Sequence, residues 1–331
     1  MLKRCLLIAF ILLTLMSGIT LAQEGEPSDG LSAEERGYLN RLAQAADRFE
    51  NYTSYSNESQ VIDNELTQLI IADQTVETQE TRSLEAISTV TRGENPYGNA
   101  LVNAYIDQYD NGAYSGYAIT GELRYVDATL YINISYDPTY AELSAELPVL
   151  PQGWIAIADV DTFIAENPHL AVLDLDGFVE QFVPSDEGVS RLHLASDLSG
   201  FASAVTLEQS EIDGTPVDVI TMFFGWSGLS EILEMEDPDF DIESNIAQLF
   251  AAQLEESEDL FSLLVALSPE DDVVGIATGY RVDLVDVEMN TISPDVAPGT
   301  LFNLVLDNFE VNNISAIGEI FPAVEIPQTS G

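Results

Sequence analysis

The stretch GELRYVDATLYINI, residues 121–134, decides the fold. Glu122 to Val126 and Thr129 to Tyr136 are runs rich in β-branched and aromatic residues, with polar residues between them. They flank Asp127-Ala128, which reads as the two-residue connection of a tight hairpin. Upstream the same pattern gives strands at Ser83 to Thr91 and Leu101 to Tyr109, the second ending at the turn Asp110-Asn111-Gly112. Short strands joined by tight turns can only run antiparallel, so Tyr52 to Tyr136 reads as a meander.

Further out, helices join the sheet. Ser32 with Glu35 three residues on forms a capping box, and Tyr38, Leu39, Leu42, Ala45, Ala46 and Phe49 recur at helical spacing. LPVLPQGW, residues 147–154, interrupts the strands with two prolines and a glycine, making Pro151 the best place for a sub-boundary. Short helices are expected at Asp161 to Glu166, Gly177 to Phe182 and Ser190 to Leu198. Phe201 to Ile212 and Val217 to Phe224 flank Asp213-Gly214, a second hairpin. A long helix is expected over Ile242 to Leu267, with apolar Ile246, Leu249, Phe250, Leu254, Leu260, Phe261 and Leu264. Strands return at Val273 to Met289 and Leu301 to Ile314, before a partly extended tail from Glu319. The expected fold is α+β: a large curved antiparallel sheet, an open half-barrel, with helices covering its concave face. Residues 31–328 form one such domain.

Met1 to Ala22 reads as a secretory signal. Lys3 and Arg4 form its charged start, Leu6 to Leu15 its apolar core and Thr20-Leu21-Ala22 its cleavage site, and residues 23–30 are a polar leader. The rival reading is a membrane anchor, disfavoured by the shortness of the apolar run. After cleavage neither lysine nor cysteine remains, because Lys3 and Cys5 are the sole examples and both precede the cut. Cys5 lies before the apolar core, so the cut leaves no lipid-anchor cysteine. The expected product is soluble, unanchored, and secreted or periplasmic.

Beyond Ala22, eight arginines face 57 carboxylates, a formal charge of −49. With 46% apolar residues, the whole chain nevertheless has enough material for a core. Such acidity argues against nucleic acid and anionic membrane surfaces as partners, since both are held through Lys and Arg. It allows cation association, and it also suits simple solubility or a salty exterior.

Little chemistry survives this composition. Absent lysine removes the P-loop, the Schiff base and the S-x-x-K nucleophile. His169 and His193 are too few for a three-histidine zinc site. Ser190, His193 and Asp197 sit at triad-like spacing, which a surface histidine explains as well. Gly225-Trp226-Ser227-Gly228 misses a nucleophile elbow, with Leu229 where the second glycine belongs. Asp237, Asp239 and Asp241 begin like a calcium loop, but Ile242 and Gln248 replace its glycine and bidentate acid. Asp174-Leu175-Asp176-Gly177 is weaker still. N-x-S/T triplets stand at Asn51, Asn57, Asn133 and Asn313. No catalytic residue, metal or cofactor is expected.

The order of elements resembles the periplasmic lipoprotein-carrier superfamily, the LolA-like and LppX/LprG-like half-barrels. An amphipathic helix opens the mature chain (Ser32 to Tyr52), GELRYVDATLYINI leads into LPQGW, and EIDGTPVDVITMFF (Glu211 to Phe224) supplies a later hairpin. The resemblance implies an open half-barrel whose helices plug the concave face, an acyl chain or other apolar ligand between sheet and helices, and no chemistry. Two departures stand against it: the anchor cysteine of LppX-type relatives is missing, and the mature chain exceeds the LolA length.

A one-sided sheet incompletely covered by helices leaves an apolar cleft without help from any family. Its candidate lining is Leu130, Trp154, Phe178 and Phe182 from the first half of the chain. Phe223, Trp226, Leu249, Phe250 and Phe261 follow from the second; each would serve equally as plain core. The leading expectation is an exported, non-enzymatic carrier or binding protein for a lipid or other apolar or amphipathic ligand. The alternatives are a secreted carboxylate-dependent glycoside hydrolase, for which Trp154 and Trp226 are the aromatics to inspect, and an acidic extracellular interaction module.

Overall fold

A computed structural model describes residues 31–71, 74–141, 147, 149–182, 202–212, 214–226, 228, 260–292 and 296–329. Along the chain run α1 (Ala33–Glu50), β1 (Ser54–Ile71), β2 (Gln74–Thr91), β3 (Tyr97–Asp110), β4 (Ala113–Val126) and β5 (Thr129–Tyr136). Next come α2 (Pro138–Ala141), β6 (Ile155–Ile157), α3 (Val160–Glu166), a 3-10 segment (Pro168–Leu173) and α4 (Leu175–Glu180). The remaining elements are β7 (Ala204–Ile212), β8 (Thr215–Phe224), β9 (Phe261–Leu267), β10 (Val273–Glu288), α5 (Met289–Ile292) and β11 (Leu301–Ser315). They divide between two compact units, residues 1–50 with 184–273, and residues 51–183 with 274–331. Pro151 lies inside the second, larger unit.

In the larger unit the strand order is β6-β5-β4-β3-β2-β1-β11-β10. Its neighbouring strands pair antiparallel, and β6 and β10 do not close on each other. The fold is α+β on an open antiparallel sheet, the half-barrel class expected from the sequence. Its hairpins follow from their turns. Asp127 and Ala128 both adopt left-handed backbone (φ 51° and 55°), as do Asn111 and Gly112 (φ 50° and 84°). Two consecutive residues of that hand match the twist of the strands they join. Asn111 adds a side-chain clasp, its Oδ1 accepting from the Glu77 amide at 3.1 Å.

One face of this sheet is covered. Alternate residues of β3, β4 and β5 are buried on it, with Ala100 and Leu123 at 1% exposure and Ile132 at 0%. The 3-10 segment packs against β2 and β3 and buries Leu170 and Leu173. Phe182 then lies over Gly98, where a Cβ would come within 2.5 Å of its ring and 2.1 Å of the Thr89 carbonyl. Only glycine permits that approach. Asp174 is the N-cap of α4, its carboxylate accepting from the Gly177 amide at 3.3 Å, so Asp174-Leu175-Asp176-Gly177 is a helix start. The tail runs back over the uncovered face, its carbonyls taking bonds from Tyr97 Oη (at Phe321, 3.0 Å) and Arg124 Nη1 (at Glu325, 3.2 Å).

The smaller unit has the order β9-β8-β7. The α1 capping box is present: the Ser32 amide donates to Glu35 Oε2 at 2.7 Å, and the Glu35 amide to Ser32 Oγ at 3.2 Å. Leu42, Ala45, Ala46 and Phe49 are buried as their spacing requires, and α1 packs on β7. Arg41 fixes it, bonding Asp218 at 2.6 Å and Asp271 at 2.5 Å.

One expectation is corrected here. The long helix over Ile242 to Leu267 does not extend to its end, because Phe261–Leu267 is the strand β9, paired with β8. FSLLVAL is a short run that is apolar except for Ser262, which periodicity assigns equally to a buried strand or helix. Its burial beside β8 decides for the strand. Residues 242–259 and the expected helix Ser190 to Leu198 lie outside the described residues.

Candidate functional site

Register determines which side chains share the covered face, since residues directly opposite in antiparallel strands point the same way. From β6 to β3 that face is apolar: Tyr125 stands opposite Leu130 and Gly98, and Leu123 opposite Ile132 and Ala100. Across β1 and β11 it changes character. β1 turns Asn57, Ser59, Asp63 and Glu65 to the face, and β11 turns Asn308, Glu310 and Asn312. All of these except the buried Asn57 are half-buried. On either flank the face is apolar and buried again, at Leu84 and Val102 on one side and Val282 and Leu284 on the other. The middle of a covered sheet is ordinarily its most apolar part. Here the interior strands β1 and β11 carry a polar stripe instead, interrupted by Val61 and ending at the buried Leu306 and Leu304.

The stripe is internally bonded. Asn57 Nδ2 donates to Asn312 Oδ1 at 2.9 Å, and Asn312 Nδ2 donates to Glu310 Oε1 at 2.8 Å. Asn57 Oδ1 is buried with no partner among the described residues. With 6% exposure, Asn57 has no room for a glycan, which removes it as an acceptor. Further along, Asp63, Asn308 and Tyr280 form one cross-strand row, with Arg82 on the other side of Asp63. Burial holds the Asp63 carboxyl above its ordinary value, partly offset by Arg82 and a bond from Asn308. Arg82 itself bonds Glu80.

Tyr280 is 8% exposed, and its hydroxyl is buried with no partner among the described residues. Burial first, then the charges of Asp63 and Glu65, push that phenol upward. Tyr117, opposite Ile106 in the same row, is pushed up to about 12, chiefly by burial. Both phenols are therefore neutral at pH 7. Among the described residues, Asp63, Glu65, Glu80 and Glu310 share this part of the face with the guanidinium of Arg82, and that of Arg92 lies farther off over Tyr55, so the stripe carries excess negative charge. No group of three or more metal-ligating side chains occurs among the described residues.

The aromatics expected as lining are distributed differently. Leu130, Phe178 and Phe182 come together as packed core. Tyr125 stacks on Phe182 at 4.7 Å, Phe178 meets Phe182 edge-on at 5.1 Å, and Leu130 lies opposite Tyr125. Trp154 stands elsewhere, its ring 4.5 Å from the Arg124 guanidinium, which belongs to the opposite face. Phe261 is buried against Phe224 at 5.4 Å in the smaller unit, where Phe223 and Trp226 are half-buried. Leu249, Phe250 and His193 lie outside the described residues. The polar stripe went unnoticed in the sequence because β1, SYSNESQVIDNELTQLII, mixes polar and apolar residues on both faces. The one available signal was the unusual polarity of that run for a central strand.

No helix among the described residues is long and apolar enough to cross a membrane. No family model matches the chain, and no curated protein matches it. Among solved structures the chain is similar to LprF from Mycobacterium bovis, at 13% identity and TM-score 0.34, covering 93% of this chain and all of that one. It is similar to a domain assigned to outer membrane lipoprotein sorting from Vibrio parahaemolyticus, at 8% identity and TM-score 0.20, covering 85% and 91%. A DUF1329 family protein from Desulfovibrio piger follows at 10% identity and TM-score 0.16, covering 86% and 92%.

Proposed function

We propose that this is an exported, non-enzymatic binding or carrier protein for an amphipathic ligand, held against the covered face of the larger unit. The observation that carries the reading is the polar stripe of β1 and β11 between two buried apolar flanks. A ligand with a polar part and an apolar chain matches that sequence of surfaces: the chain lies along a flank, and the polar part meets the stripe. A purely apolar guest would leave Asn57, Asp63 and Asn308 desolvated without compensation. Export rests on the reading of residues 1–22. No side chain is needed as acid, base or nucleophile.

Native mass spectrometry of the protein purified from its own host tests this. A co-purifying amphiphile, released on denaturation, is the expected result. Protein that emerges without ligand, and that takes up no chain-bearing amphiphile when offered one, overturns it.

A further inference from the structure

The charge and hydrogen bonding of the stripe narrow the ligand, on the condition that the binding reading above holds. We infer that the row Asp63–Asn308–Tyr280 receives a cationic, hydrogen-bond-donating head group, so that the preferred amphiphile bears an amine rather than a carboxylate or phosphate.

Three observations lead there. First, the carboxylates of Asp63, Glu65, Glu80 and Glu310 share this part of the face with the guanidinium of Arg82, which is already engaged by Glu80, while that of Arg92 lies at the far end over Tyr55. An anionic head placed on the stripe meets like charge, and like-charge contacts in a half-buried site are among the strongest discriminators between partners. Second, the Tyr280 hydroxyl is buried and unpartnered among the described residues, one strand from Asn308 and two from Asp63. Its oxygen accepts from an ammonium, and its ring face favours a cation. Third, Asn57 leaves a buried acceptor oxygen unmet farther along the same stripe, its own amide nitrogen being spent on Asn312. That oxygen can be satisfied only by a donor.

The test is calorimetric titration of the mature chain at pH 7, below the micelle concentration, with dodecylammonium, dodecyl maltoside and laurate. These share one chain length and differ in head group. Dodecylammonium should bind at least about tenfold more tightly than laurate. Asp63→Asn and Tyr280→Phe should each cut that ratio by about threefold or more, while Glu208→Gln, an exposed carboxylate on β7, should leave it unchanged. The last variant separates the stripe from the general acidity of the chain. Laurate binding as tightly as dodecylammonium overturns the inference, and so does an equal loss of the ratio in Glu208→Gln. If all three probes bind alike, the amine preference falls and the carrier reading stands. If none binds, the carrier reading falls with it.

Discussion

Two halves of one sheet face obey different rules. Across β3, β4 and β5 the inward positions Ala100 to Ile106, Ile119 to Tyr125 and Leu130 to Ile134 are apolar and nearly all sealed, down to Ile132 at 0% exposure, and an aromatic knot of Tyr125, Phe178 and Phe182 closes them. Across β1 and β11 a run of inward positions, Ser59, Asp63, Glu65, Asn308, Glu310 and Asn312, is polar and half-buried, although Tyr55, Leu304, Leu306 and Ile314 on the same face are buried. Both halves share the same ladder, so the backbone does not distinguish them. The difference teaches that the first half carries the packing of the fold, and that the polar half is the part left over for the ligand proposed above.

Substitutions can break or sharpen that contrast. The largest effect belongs to the sealed half. Phe182→Ala should cost about 3–5 kcal/mol of unfolding free energy, measured by urea titration, because it empties a packed aromatic site. A loss under about 1 kcal/mol would show that this half is loosely packed after all.

On the open half the sign reverses. Tyr280→Phe removes a buried hydroxyl that lacks a partner, and should raise stability by about 1 kcal/mol in ligand-free protein. A loss of similar size would reveal a hydrogen bond to the hydroxyl and remove the main support for the stripe as an open site.

Asp63→Asn should act more weakly and only in part of the pH range. Burial raises the folded carboxyl above its ordinary 3.8, with Glu65 and Glu80 adding to the effect and Arg82 opposing it. Below pH 3.8 the group is protonated in both folded and unfolded chains and contributes nothing. As pH rises through the folded value, the native state must ionise a half-buried acid, and stability is lost. The variant should therefore be more stable than the parent at pH 7 and equal to it at pH 3, compared by urea midpoints. An equal gain at both pH values would assign the effect to packing instead.

The smallest effect concerns the turn of the sealed half. Ala128 sits at φ 55°, where an L-residue costs about 1–2 kcal/mol and glycine recovers it at an entropic cost of about 0.5–1 kcal/mol. Ala128→Gly should thus raise the unfolding free energy by about 0.5 kcal/mol, resolvable as a shift in urea midpoint.

The sealed half was legible in the sequence and the open half was not, for one reason. Leu101 to Tyr109 and Thr129 to Tyr136 alternate because one face is buried, and alternation is what a reader of sequence detects. The capping box of α1 was equally local: Ser32 and Glu35 need no tertiary partner to be recognised. β1 does not alternate, since Ile62 and Leu66 face outward while Asn57 and Asp63 face inward. The meander expected over Tyr52 to Tyr136 therefore gives β1 no bounds of its own and only the second half of β2. β9 reads equally as a helix because its six apolar residues, broken only by Ser262, carry no period. The candidate site lay in the segment that looked least like a strand, and only register placed its residues side by side.

That same lack of alternation has a mechanical consequence for β1. Most strands resist sliding because a slip of one residue would turn their greasy side to water. Beyond the buried Tyr55, β1 has little to lose by slipping, for Val61 and Leu69 would merely trade places with Ile62 and Ile70. Its alignment must come from its neighbours and its hairpin. A single-residue insertion there would leave a folded chain that had exchanged the floor of its groove for its outer surface.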